Sequence, residues 1–289
     1  MRKRFHIGLG ILAAVILICG IAVGISILVC NSGLAVHAYD IQIKGIGQPF
    51  TAVVLTDLHG KEFGEGNEEL LEKIRGQKPD VIFSVGDMID GDADQAQVRR
   101  FLELLAELRK IAPVYVSYGN HEKAYMSSGG TDLAPGIEAA GAVLLDESCV
   151  TAELGGNKVC LGGTVGHLYP FGRTPEDYHA SPEYRLMKQM EASGLPTIVL
   201  AHLPDTIIFV EAYKNWDIDL FLSGHTHGGV IRIPFFGGLY APMQGWFPDE
   251  DMGHFDYGRV QLLISSGLAG HGKVPRVFNM PEVCVVHIS

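Results

Sequence analysis

Basic residues are scarce in this chain. Twenty-two Lys and Arg stand against 33 Asp and Glu, a formal net charge of −11. Three of those basic residues are Arg2, Lys3 and Arg4, so everything after them is more acidic still. A surface of that sign has no general attraction for a polyanion, which excludes stable nucleic-acid binding as the main function. An anionic substrate would have to be held by something stronger than surface charge, such as bound metal ions. Cysteine is also rare: five residues, no Cys-x-x-Cys pair, and an odd number (Cys149, Cys160 and Cys284) after residue 30. That excludes a disulfide-stapled scaffold. Cys149 and Cys160 fall on what read as neighbouring strands, where a bridge is conceivable and free thiols are the expectation. Cys19 and Cys30 follow Ile18 and Val29, not small residues, so a lipid-modified cysteine is unsupported. No internal repeat or low-complexity tract is present. With 47% hydrophobic residues disorder is excluded, and 289 residues lie near the upper size of a single core, about 250–300.

Charge is missing altogether between residues 5 and 30. Ile7 to Val29 is an apolar run long enough for a membrane span, which needs about 20 residues, and longer than the roughly 7–15 of a signal peptide's apolar region. An uncleaved anchor is expected. Arg2-Lys3-Arg4 precede the run and the next basic residue is Lys44. The positive-inside bias then predicts a single-pass cell-membrane protein with a cytoplasmic N-terminus and residues 36–289 outside. The chain divides into a basic stub and anchor (1–35), a linker with a first strand (36–50) and a folded domain (51–289).

That domain repeats one pattern, a β-branched run followed by a polar cluster. The runs are 51–56, 81–85, 114–117, 197–201 and 218–223, read as buried strands. Helical patterns lie between the early ones. Asn67 is placed to cap a helix ending at Gly76, and Val98, Phe101, Leu102, Leu105 and Leu108 repeat at three and four. Strand–helix alternation predicts an α/β layered domain. Further short strands are expected at 143–145, 150–153, 158–161, 230–233, 259–265 and 283–288. Two long loops, 162–182 and 234–258, exceed the usual length of a passive connection.

Each of the five early strands ends in residues that bind metals. The clusters are Asp57-Leu58-His59, Gly86-Asp87-Met88-Ile89-Asp90, Gly119-Asn120-His121-Glu122, Ala201-His202 and Gly224-His225-Thr226-His227. Singly, each reads more readily as a satisfied polar pair. Jointly, five in order at the carboxyl ends of strands mark the place where open α/β sheets bind ligands. Imidazoles with carboxylates and one amide suit Mn, Fe or Zn better than Mg or Ca. Seven candidate ligands are too many for one tetrahedral site and suit two divalent ions sharing a bridge, an arrangement that clamps an in-line displacement at phosphorus.

The order D-x-H, G-D-x-x-D, G-N-H-E, lone H and G-H-T-H resembles the calcineurin-like metallophosphoesterases over about residues 50–289. The anchor and the closing stretch Gly267–Val283 are similar to a small membrane-attached bacterial branch. The resemblance implies a four-layer α/β/β/α sandwich of two mixed sheets. It implies a first metal on Asp57, His59, Asp87 and His227, and a second on Asp87, Asn120, His202 and His225, bridged by Asp87. His121 would be the non-ligand histidine that protonates the leaving oxygen, and Asp90 would hydrogen-bond and orient it. The glycines before Asp87, Asn120 and His225 are expected to let the backbone turn sharply.

The expected activity is hydrolysis of a phosphodiester or pyrophosphate, with a lipid-linked or nucleotide-containing substrate. A phosphomonoesterase on the same scaffold is the alternative, and a non-catalytic metal-stabilised binding module a third reading. Residues 234–258 carry Phe235, Phe236, Tyr240, Trp246, Phe247, Phe255 and Tyr257. They read first as a loop packed on the sandwich by its own aromatics, and second as an apolar wall beside the metals. His167 and His271, each in a glycine-containing loop, are further candidates to touch substrate.

Overall fold

The computed structural model describes residues 2–168, 174–209, 211–270, 272 and 274–289. Helix α1 (Arg2–Ser32) is long and apolar enough to cross a membrane, and its side chains from residue 6 to 25 are exposed. Three residues later the sandwich begins. Its strands are β1 (Ala35–Ile41), β2 (Phe50–Leu55), β3 (Val81–Val85), β4 (Val114–Ser117), β5 (Val143–Leu144), β6 (Ser148–Leu154), β7 (Asn157–Thr164), β8 (Thr197–Ala201), β9 (Leu220–Ser223), the short pairs β10–β11 (Arg232–Ile233, Gly237–Gly238) and β12–β13 (Tyr240–Ala241, Gly245–Trp246), β14 (Gly253–Asp256), β15 (Gln261–Ile264) and β16 (Glu282–Ile288).

Two six-stranded mixed sheets result, ordered β1-β16-β2-β3-β4-β5 and β14-β15-β9-β8-β7-β6. Alternation along the strands builds three cores from them. Ala52, Val54, Phe83, Val85, Leu200, Leu222 and Val286 meet between the sheets. Val53, Leu55, Ile82, Val116 and Val285 point the other way, onto α2 (Glu68–Gln77) and α3 (Gln95–Arg109). On the far side Cys160, Val199, Phe221 and Leu262 pack with Leu186, Met187 and Met190 of α4 (Pro182–Glu191). The period-two side-chain alternation of a strand thus produces the four-layer α/β/β/α architecture.

Local differences from expectation have physical causes. Asn67 does sit before α2 but caps nothing. Its backbone is left-handed (φ 63°), and its side chain accepts the Phe63 amide instead (3.0 Å). Lys78, also left-handed, closes α2 at Gln77, one residue past the expected Gly76. The strand expected at 230–233 shrinks to Arg232–Ile233. The five cysteines are free thiols, and burial pushes Cys149 up to about 12. The aromatic loop splits. Phe255 and Tyr257 pack against the second helical core, whereas Phe235, Phe236, Trp246 and Phe247 stand in solvent, so self-packing holds for only part of it.

Candidate metal centre

The carboxyl ends of β2, β3 and β4 from one sheet meet those of β8 and β9 from the other. Backbone pairing aligns them: Asp57 N–H donates to Gly86 O (3.1 Å), His59 N–H to Asp87 O (3.1 Å) and Gly60 N–H to Met88 O (3.0 Å). The second sheet is fastened across the gap. His202 Nδ1 donates to Val85 O (2.8 Å), and the His225 amide donates to both Asp57 oxygens (3.2 and 3.1 Å).

Of the three glycines expected to turn the backbone, Gly86 alone does so through a positive φ. Gly86 takes a left-handed φ of 76°, as a sharp turn requires. Gly224 does not. A Cβ there would stand 2.2 Å from Thr56 Oγ1 and 2.4 Å from Asp57 Oδ2, so its role is room for the neighbouring strand end. Left-handed backbone falls on the ligand candidates themselves: Asp57, His59, Asp87, His225 and His227 have φ between 46° and 68°. Each such residue costs about 1–3 kcal/mol and persists only where its surroundings over-determine it.

Donor atoms converge in two groups with overlapping neighbours. Asp57, His59 and His227 present atoms within 4.8 Å of one another, as do Asp87, His202 and His225; His59, Asp87 and His121 form a third such set. The histidine tautomers are largely fixed from behind. Nδ1 of His202 and His227 donate to the carbonyls of Val85 and Ala269 (2.8 and 3.1 Å), and Nδ1 of His59 to Asp90 Oδ1 (3.0 Å). Their Nε2 lone pairs are thereby left for the site. Nε2 of His59, His202 and His225 and Oδ1 of Asn120 are buried without hydrogen-bond partners. Orphaned buried donors of this kind, gathered around two carboxylates, fit a pair of cations.

Electrostatics agree. Burial disfavours charge on Asp87, yet the surrounding imidazoles of His202, His59 and His121 hold its pKa well below the carboxylate range. Asp57 is lowered in the same way against burial, chiefly by His227 and His202. His202 Nε2 lies 3.0 Å from Asp87 Oδ2. Burial opposes its charge, but the Asp87 carboxylate outweighs that and raises it to about 10, so an ion bound there would displace the ring's Nε2 proton. Burial instead drives His225 and His227 down to about 3 and 4, leaving neutral imidazoles ready to ligate. Two ionised carboxylates buried side by side demand positive charge between them.

Asp90 does not touch His121 as expected. Its carboxylate takes His59 Nδ1 and Gln97 Nε2 (2.8 Å), because pairing of the two loops sets residues 57–60 beside 87–90. His121 Nδ1 accepts the Gly91 amide (3.0 Å), which puts the proton of a neutral ring on Nε2, 3.9 Å from Asp87 Oδ2 on the open side of the site. The consequence is measurable. Asp90→Ala should weaken the ion held by His59 about 10–100-fold, the usual worth of a ligand's orienting partner. Its leaving-group dependence should match the unsubstituted protein. Unchanged ion affinity in a metal titration would refute the assignment.

Three contributors escaped sequence reading. Glu122, quoted only as part of a motif, is buried and accepts four amides. Oε2 takes Asp87 and Gly119 (both 2.8 Å), and Oε1 takes Met88 and Ile89 (2.7 and 3.2 Å), locking the β3 and β4 loops together. Asp205 is buried with both oxygens unpartnered, 4.0 Å from His225 Nε2, and burial raises it to about 6. Arg276, fully buried, donates to the carbonyls of Ser266, Gly267 and Ala269, the last being the acceptor of His227 Nδ1. Their only signals are a carboxylate three residues beyond His202 and an arginine in the closing stretch. His167 is exposed after β7; His271 lies outside the described residues.

A profile of the calcineurin-like phosphoesterases matches residues 50–229. The chain belongs to that family, a class of metal-dependent phosphoric ester hydrolases. An uncharacterized metallophosphoesterase of Campylobacter jejuni is 28% identical over 261 residues, spanning 88% of this chain and 63% of its own length, so this chain corresponds to under two thirds of that protein. Phosphodiesterase YaeI of Escherichia coli is 28% identical over 70% of this chain and 69% of its own. YkuE of Bacillus subtilis, an uncharacterized metallophosphoesterase, is 26% identical over 88% and 82%. Among solved structures, TT1561 of Thermus thermophilus shares the fold at a TM-score of 0.51 and 15% identity, covering 75% of this chain and 89% of its own.

Proposed function

We propose that this chain is a membrane-anchored phosphohydrolase with two divalent ions, cleaving phosphodiester or pyrophosphate bonds in lipid-linked or nucleotide-containing substrates. The observation that carries the reading is the set of buried, unpartnered Nε2 and Oδ1 atoms closing around Asp87. Asp57, His59, Asp87 and His227 would hold one ion; Asp87, Asn120, His202 and His225 would hold the other. When bound, such a pair supplies Lewis acidity toward phosphoryl oxygens and a nucleophilic hydroxide at neutral pH. The protein's own part is placement. Val85 O, Ala269 O and Asp90 aim three imidazoles, and Glu122 fixes the loop that carries Asp87. His121, with about a third of its side chain exposed, offers Nε2–H to the oxygen that leaves.

The phosphodiesterase name of the Escherichia coli relative supports the diester preference. The mixed imidazole, carboxylate and amide donors favour Mn, Fe or Zn. Full-length protein in detergent, stripped and reloaded with each ion in turn, tests the proposal against a bis-aryl phosphate, a mono-aryl phosphate and a nucleotide sugar. Ion-dependent turnover with diester or pyrophosphate ahead of monoester is expected. Faster monoester turnover would make the protein a phosphomonoesterase, and no ion-dependent turnover on the panel would overturn the activity.

The anchor reading is supported by α1 and by Arg2-Lys3-Arg4 before the apolar run, and the positive-inside bias favours a sandwich outside the cytoplasm. External protease should therefore digest the domain in intact cells. Complete protection until lysis would reverse the orientation.

A further inference from the structure

The apolar helix does not leave the domain on a free tether. Its last turns lie against residues 276–280. Ser26 Oγ accepts the Phe278 amide (2.5 Å), the Asn31 side chain and the Arg276 backbone exchange hydrogen bonds (3.1 and 3.2 Å), and Met280 Cε stands 2.7 Å from where a Cβ on Gly33 would be. Ser26 precedes Val29, near the end of the uncharged run, by about one helical turn or some 4–5 Å along the axis. Phe278 thus meets the helix within its apolar length.

The same segment carries an arm. Ile231 bridges to Val277, the Arg232 amide donates to Val277 O (2.9 Å), and the β10–β11 and β12–β13 pairs follow. Their outer surface is apolar: Phe235, Phe236, Met243, Trp246 and Phe247 are 104, 78, 55, 70 and 58% exposed. Val274 and Phe278 extend the patch to the helix, at 45 and 41%. A groove of about 320 Å³ runs under it between Ile231, Leu239, Trp246 and Val274. Phe235, Met243, Phe247 and Phe278 hold left-handed φ of 73, 61, 54 and 49°. Turns ordinarily place Gly or Asn there, and a bulky apolar residue in that region is an outlier of the kind that gathers at working surfaces.

We propose that this aromatic arm is a second membrane contact, seated in the headgroup region of the leaflet that α1 enters, so that the metal centre faces the bilayer surface. The proposal rests on reading α1 as a membrane span. Continuity carries it: helix end, 276–280 segment and arm are hydrogen-bonded in series, and the patch begins at the depth where the apolar span ends. Aromatic side chains at that level are the chemistry of a membrane–water interface. The arm reaches the site through one turn. His227–Gly229 precedes it directly, and Asn279 Nδ2 donates to His227 O (2.8 Å) and Val230 O (3.1 Å). Asp249, Glu250 and Asp251 follow Phe247, so the contact is made by apolar burial and needs no anionic lipid. A phosphoester carried in that leaflet could reach the ions without leaving it.

The chain's two tryptophans make the test direct. Trp246 is on the arm; Trp216 is buried against Tyr184, with ring centroids 5.4 Å apart. Full-length Trp216→Phe and Trp246→Phe variants are reconstituted into phosphatidylcholine vesicles, plain or brominated near the top of the acyl chain. Trp246 emission should shift to the blue and be quenched by bromine, while Trp216 emission should be unaffected. Alkaline carbonate extraction of the same vesicles reads the anchor separately. Chain that resists extraction with Trp246 unquenched overturns the arm and leaves the anchor standing. Chain that is extracted yet quenched beforehand overturns the anchor and keeps the arm; extracted and unquenched, both fail. A blue shift without bromine quenching would put the arm against a second copy of the chain, which also overturns the proposal.

Discussion

Asp87→Asn should lose both ions and nearly all turnover, while Asp57→Asn should keep the ion held by His202 and His225. Asp87 Oδ2 lies 3.0 Å from His202 Nε2 and 4.0 Å from His59 Nε2, so one carboxylate faces the histidines of both proposed sites. Asp57 Oδ1 lies nearest His227 Nε2 (3.7 Å), with His59 and His202 Nε2 both at 4.0 Å, so its closest imidazole belongs to the first proposed site. The amide keeps an oxygen for the His121 backbone N–H, now 2.8 Å from Asp87 Oδ1, so the fold has no reason to fail. It lacks the charge that holds a cation against the desolvation of a fully buried site. The loss should exceed the roughly 10²–10³-fold that one transition-state donor is worth, because both ions leave together. Elemental analysis after dialysis, with melting temperature as the check on folding, decides it. Two tightly held ions in Asp87→Asn would remove the bridge.

His121→Ala should separate chemistry from ion binding. The ring sits at the mouth of the site, with centroid 4.6 Å from that of His59, and is oriented by the Gly91 amide, not by a carboxylate. Removing it should leave both ions in place and lower kcat about 10²–10⁴-fold, the range of a positioned proton donor. The deficit should shrink as the leaving group becomes more acidic, since a nitrophenolate departs with little help. Equal deficits on good and poor leaving groups would instead make His121 a hydrogen-bond donor to the phosphoryl group. Unchanged kcat on a poor alkoxide leaving group would take it out of the mechanism.

Much of this was legible in the sequence because two periodicities carry it. Short β-branched runs gave strands β3, β4 and β8 to the residue, and the polar cluster after each marked where chemistry would gather. The family resemblance added the layer order. Hydrogen-bond partners were a different matter. Asp90 is three residues from Asp87 and thirty-one from either His59 or His121, so spacing could not choose between them; only the backbone pairing of two loops does. Glu122 and Arg276 were hidden for a related reason. Each satisfies backbone groups from distant loops, and a backbone group has no letter in the sequence. The left-handed backbone of the ligand candidates was invisible too, since Asp and His betray no φ. Exposure of the aromatic arm was misjudged because hydrophobicity says a side chain prefers burial without saying what buries it.

The first strand of the domain has one sheet neighbour, and it is the last strand. β1 pairs with β16 in parallel from Ala35↔Glu282 to Ile41↔Ile288, and β16 alone separates it from β2. On the ribosome, β1 follows α1 almost immediately, then waits for about 250 further residues before its partner exists. At about 5–20 residues per second that interval is roughly 10–50 s. Throughout it, β1 is an unpaired strand three residues from α1 while the interior strands β2, β3 and β4 are free to associate. Emergence of β16, not of the loops that carry the metal-ligand candidates, is therefore the event that closes the sandwich and locks the helix to it. A chain that stops short of Glu282 would carry α1 and every metal-ligand candidate yet leave β1 without its partner.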